Sequence, residues 1–117
     1  MATIKSYTDI EQSKVLAGIM PPESADYCWG IDDETLHYNN SPYPCAWKDY
    51  TCKEYYIPCW SLASLLGVLH DYTLQTNIDG KAFVVCESKK PMISDAYDNP
   101  VDACVAMIIK LSELKML

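Results

Sequence analysis

The dipeptide Asp79-Gly80, set between two stretches of alternating character, constrains the fold of this chain more than any other feature. Asp-Gly supplies the positive-φ positions of a type I′ turn, so Leu74, Thr76 and Ile78 are expected to lead into a tight hairpin with Lys81 to Glu87 as the return strand. A two-residue loop pairs Ile78 with Lys81, Thr76 with Phe83 and Leu74 with Val85. That register puts Leu74, Ile78, Phe83 and Val85 on one face, the expected core side. Lys89-Lys90-Pro91 makes the next turn, and Met92 to Tyr97 is expected to add a third antiparallel strand.

Helical signals surround this hairpin. Asn99 is placed to cap, Pro100 fits a first helical position, and Asp102 falls in the first turn, where the helix dipole favours a carboxylate. Val101, Cys104, Val105, Ile108 and Leu111 then form the buried side of a helix expected to reach about Lys115. Lys110 and Lys115 sit near its negative end. Upstream, Leu62, Leu65, Leu66 and Leu69 recur at i, i+3, i+4 and i+7, giving an amphipathic helix that ends near His70. Gly67 lies inside it at a cost of about 1 kcal/mol relative to Ala. Near the N-terminus, Thr8-Asp9-Ile10-Glu11 has the spacing of a capping box with Thr8 as the cap. Ile10, Val15, Leu16, Ile19 and Met20 give that helix an apolar side, closed by Gly18 and Pro21-Pro22, and Pro22 is able to begin a further short turn. From residue 30 to 56, Asn39-Asn40, Ser41-Pro42 and Pro44 interrupt any long element, leaving Leu36 to Tyr38 and Tyr55 to Ile57 as short strands.

The expected architecture is α+β: a three-stranded or larger antiparallel meander with about three helices packed on one face. The 117 residues make one domain, 1–117.

Charge excludes partner classes. Sixteen Asp and Glu face nine Lys, with no Arg, for a net charge of -7. Phosphate and base-edge recognition rely heavily on the guanidinium fork, so nucleic acid is not the expected partner. As a DNA mimic, seven charges match only about 12 Å of duplex, less than one turn. The same field opposes an anionic membrane surface. No run of about 18 apolar residues and no apolar segment at Met1 to Asp9 is present, so a cytoplasmic, membrane-free protein is expected.

Six cysteines raise the question of disulfides or metal. Cys86 and Cys104 lie in apolar runs, where Cys acts as a small hydrophobe, and without a secretion signal the thiols are expected to be reduced. Cys45, Cys52 and Cys59 are evenly spaced but lack the close pairs of zinc sites, so neither metal nor cofactor is expected. Cys59 precedes the Leu62 helix, where the dipole would stabilise a thiolate. A base would have to come from His37 or His70, and His70 lies about 15 Å away along the same helix. A second polar candidate is the acidic loop 23–34, with Glu23, Asp26, Asp32, Asp33 and Glu34; it lacks the alternating ligands and Gly of a calcium loop.

Nine of thirteen aromatic residues lie between Tyr27 and Trp60. Trp29 and Trp60 are expected in the core. Tyr43, Trp47 and Tyr50, flanked by Pro44, Lys48 and Asp49, are expected to be exposed, and with Tyr55 they are the candidate binding residues. The expected function is therefore a non-catalytic, protein-binding domain using the aromatic segment 38–56 and the open edge of the meander. The alternative is a small ligand-binding or thiol-dependent enzyme domain centred on Cys59 or the acidic loop 23–34.

Three stretches together, Ser24-Ala25-Asp26-Tyr27-Cys28-Trp29, Ile57-Pro58-Cys59-Trp60-Ser61-Leu62 with Leu65-Leu66, and Asp98-Asn99-Pro100-Val101-Asp102-Ala103, resemble a family of small proteins of no assigned activity from gut anaerobic bacteria and their phages or mobile elements. The resemblance implies a cytoplasmic, mobile-element context and assigns no site.

Overall fold

Asp9, not Thr8, caps the first helix. In the computed structural model, which describes residues 5–30, 42–44, 56–69, 72–86 and 92–115, helix α1 spans Ile10–Ala17. Asp9 Oδ1 accepts from Gln12 N at 2.8 Å and Gln12 Oε1 accepts from Asp9 N at 3.1 Å, a capping box one residue later than the sequence spacing suggests. The reason is that Thr8 is fully buried and its hydroxyl is engaged inside, by Trp60 N and Ser13. The buried stripe is correspondingly Ser13, Leu16 and Met20, while Val15 stays 49% exposed. After Gly18 the chain makes a 3-10 turn over Pro22–Ser24.

Strand β1 (Tyr27–Gly30) is central to the first sheet. On one side it pairs with β2 (Tyr43–Pro44) and on the other with β3 (Tyr56–Cys59), both antiparallel, in the order β2-β1-β3. Cys28 is opposite Tyr43 on one side and Pro58 on the other. Pro58 has no N–H, and β3 accommodates it as an edge strand. The expected strand at Leu36 to Tyr38 lies outside the described residues.

Helix α2 (Leu62–Val68) follows, capped by Ser61 Oγ, which accepts from Ser64 N. Leu65 and Leu69 are buried, and Leu62 and Leu66 pack at the margin of the core.

The hairpin departs from its expected register. β4 (Thr73–Thr76) and β5 (Ala82–Cys86) pair Leu74 with Val84 and Thr76 with Ala82. Asn77 N donates to Lys81 O, Gly80 N donates to Asn77 O, and Gly80 has φ +78°, so the loop is the three residues Ile78, Asp79 and Gly80. Asn77 drives this choice, because its Oδ1 accepts from both Asp79 N and Lys81 N. A shift of one residue exchanges the faces. Ala82 and Val84 therefore point into the core with Leu74, Phe83 and Val85 take the opposite face, and Ile78 is fully exposed at the tip.

β6 (Met92–Ile93) adds only two residues beside β5. Ser94 N then donates to Val84 O, and Ala82 and Tyr97 exchange backbone bonds of 2.7 and 2.8 Å. Two residues, Asp95 and Ala96, thus oppose the single Phe83, a bulge that ends the expected strand over Met92 to Tyr97 early.

Helix α3 (Pro100–Glu113) matches its sequence signals: Asn99 Oδ1 accepts from Asp102 N at 2.9 Å and Pro100 opens the first turn. Val101, Cys104, Val105, Ile108 and Leu111 are buried, with Ala103 and Met107 beside them.

The class is α+β, but the strands divide into two separate sheets instead of one. α1 packs against β3, and α3 packs against β5 and α2. Trp60, Leu16, Leu65, Val84, Val101 and Ile108 belong to one buried cluster that joins all three helices and both sheets. Each such side chain contributes about 1.5–3 kcal/mol. Among the described residues no helix is long and apolar enough to cross a membrane.

Candidate functional site

The candidate surface is built from the edge of the first sheet. Tyr43 takes part in β2 opposite Cys28, and its neighbour Pro44, which is exposed, lies opposite Tyr27. Trp47, Tyr50 and Tyr55 lie outside the described residues, as do Cys45, Cys52, His37, His70 and Asp32 to Glu34. Tyr27 and Trp29 share a face of β1 by the two-residue period of a strand. Tyr7 joins them: its ring centroid is 6.3 Å from Tyr27 at a 31° tilt and 6.0 Å from Trp29 in an edge-to-face arrangement at 79°. Trp29 and Trp60 are buried as expected, while Tyr7 and Tyr27 are half-buried.

Tyr7 was not legible in the sequence, since it lies twenty residues before the aromatic-rich stretch. It arrives because the N-terminal segment pairs with the chain after β3. Thr8 N donates to Trp60 O and Leu62 N donates to Ser6 O, each at 2.9 Å, with Tyr7 bridged to Ser61. Thr8 is the anchor. Its Oγ1 accepts from Trp60 N at 3.1 Å and lies 2.7 Å from Ser13 Oγ, and its carbonyl accepts from Trp29 Nε1 at 3.2 Å.

Cys59 closes the same cluster. Its Sγ donates to Thr8 O at 3.4 Å and lies 3.5 Å from Thr8 Oγ1. Burial pushes its pKa up to about 11, although the Thr8 and Ser13 hydroxyls oppose the shift; Asp26 and Cys28 reinforce it. The thiol is therefore protonated at neutral pH. It also sits at the end of β3, ahead of the cap residue Ser61, and the amides of the α2 terminus already have acceptors. Ser61 N donates to Asp26 Oδ1, Leu62 N to Ser6 O, and Ser64 N to Ser61 Oγ. The dipole-stabilised thiolate of the alternative reading does not form in this arrangement, and Cys59 is a buried thiol.

The stretch 23–34 is not one loop, since Glu23 lies in the 3-10 turn and Tyr27–Gly30 is β1; Asp26, just before that strand, also accepts from Ser61 Oγ, so its carboxylate ties the start of β1 to the cap of α2. Cys28, Cys59 and Cys104 are free thiols, and burial pushes Cys104 up to about 11 as well. Among the described residues no group of three or more His, Cys, Asp and Glu could hold a metal ion.

A second polar cluster links distant parts of the chain. Lys5 Nζ donates to Asp102 Oδ1 at 2.8 Å, to Gln12 Oε1 at 2.8 Å and to Asp9 Oδ2 at 3.1 Å. Gln12 Nε2 and Asn99 Nδ2 complete the shell of Asp102. Burial alone would raise the Asp102 pKa, but the bonds from Lys5, Gln12 and Asn99 outweigh it and hold the carboxyl below the ordinary range. No sequence signal marks this cluster, because its partners are up to 97 positions apart.

No protein-family model, no curated protein and no solved structure matches this chain.

Proposed function

We propose that the protein is a small non-catalytic domain that binds another protein through its aromatic segment 38–56, in a cytoplasmic and mobile-element setting. The observation that carries the reading is the position of β2: among the described residues it is an edge strand of the first sheet, with exposed Pro44 opposite Tyr27, whose ring lies 6.3 Å from that of Tyr7. Tyr and Trp side chains offer large contact area at low entropic cost, so a segment leaving such an edge suits partner capture. Among the described residues β4 is the outer strand of its sheet, and its edge is a second contact surface in this reading. The protonated, internally bonded Cys59 favours this reading over thiol chemistry. Replacing Tyr43, Trp47, Tyr50 and Tyr55 with Ala should remove the partner from a pull-down while circular dichroism stays unchanged. An unchanged set of captured proteins would refute the proposal.

A further inference from the structure

Two hollows of about 400 and 370 Å³ lie along α3, and both are lined by Tyr97, Ala106 and Ile109. They adjoin at these shared residues, with Ala106 at the waist of the trough they make together beside the helix from Asp102 to Glu113. At 1.5 Å per residue that stretch is about 16 Å long, three turns of a facing helix. Val105 in the first hollow, which is buried, and Ala106 and Ile109 in both, which are half-buried, form an apolar strip, while the second hollow is otherwise lined by Ser94, Asp95, Tyr97, Lys110 and Glu113. The rim is acidic. Asp9 and Asp102 flank one end, where the Lys5 ammonium is already held by three acceptors. Exposed Asp95 and Glu113 line the other end, facing Lys110, whose Nζ donates to Ile93 O at 3.4 Å. That end is also the negative terminus of α3.

From these observations we infer that the trough docks an amphipathic helical segment of a partner protein, with leucine-like residues on Ala106 and Ile109 and Lys or Arg facing Asp95, Glu113 and Asp9. Charge complementarity selects this occupant. The whole chain carries -7, so a second copy or an acidic segment is repelled while a basic one is steered in. The small side chain of Ala106 sets how closely the partner approaches. None of the residues that line the trough lies in β1, β2 or β3, so replacing Tyr43 should leave it unaffected.

The test uses the full chain and two 15-residue helical peptides with the same leucine stripe, one flanked by lysines and one by glutamates. The lysine peptide should perturb the amide resonances of Tyr97, Ala106 and Ile109, and the glutamate peptide should bind at least about tenfold more weakly. Ala106→Phe fills the waist and should weaken the lysine peptide by about tenfold or more. Asp95→Lys with Glu113→Lys should do the same without touching the core. Equal affinity for the two peptides, no binding of either, perturbation centred elsewhere, or an affinity unmoved by the charge reversals would overturn the inference.

Discussion

Thr8 shows how one residue can be read correctly for its chemistry and wrongly for its role. Its hydroxyl does satisfy a backbone amide, but that amide is Trp60 N, 52 positions away, and not one in the first turn of α1. Because the group is fully buried, Thr8→Val would strand Trp60 N and Ser13 Oγ and should cost about 1–3 kcal/mol in urea unfolding, whereas Thr8→Ser should recover much of it. The buried thiols make a second prediction at this scale. Unfolded cysteines titrate near 8.5, whereas Cys59 and Cys104 titrate at about 11 when folded. Above that unfolded value the unfolded chain binds fewer protons than the folded one. The stability they contribute is therefore complete below about pH 8.5 and declines as pH rises towards 11, at up to roughly 1.4 kcal/mol per pH unit for each thiol. Urea unfolding between pH 8 and 10.5 should show a shallower decline for Cys104→Ala than for the parent protein. Identical slopes would contradict this account of the buried thiol.

Among the elements, α3 was legible from its cap to its buried face because every determinant is local: Asn99, Pro100, Asp102 and a stripe at helical spacing. α2 was equally legible, and it contains a testable weakness. Gly67 is exposed within the helix and a Cβ there meets nothing within 4 Å, so Gly67→Ala should raise stability by about 0.5–1 kcal/mol in thermal or urea unfolding. No gain would mean that the α2 backbone is not helical at this position. The β4–β5 hairpin was legible as a hairpin but not in register, because Asp-Gly is compatible with both a two-residue and a three-residue loop. Asn77 decides between them through a side chain that bonds two amides across the turn. The aromatic candidates divided in a similar way: Trp29 and Trp60 could be assigned to the core from their surroundings, while Tyr7 could not be tied to them.

At the scale of the whole molecule, the α+β class could be read from periodicity, but the division into two sheets could not. β1 and β3 pair across the 25 residues from 31 to 55, and nothing local announces that partnership. The Lys5, Asp9, Gln12, Asn99 and Asp102 cluster ties the N-terminal segment to α1 and α3 in the same non-local way. Since the folded Asp102 pKa is lowered, its contribution is present above the ordinary carboxylate range and lost as pH falls through the lowered value. Asp102→Asn should therefore flatten the fall in stability as pH drops below the ordinary carboxylate range, measured by urea unfolding. A steeper fall in the variant would contradict the sign.

The proposed role rests on partner contact through the aromatic segment, and site-directed photo-crosslinking in cells tests it most directly. A benzophenone amino acid in place of Tyr43, Trp47, Tyr50 or Tyr55 should yield a covalent adduct with one and the same protein. The same probe at exposed Val15, on α1, should not. Adducts from Val15 equal to those from the aromatic positions, or none from the aromatic positions at all, would contradict the account.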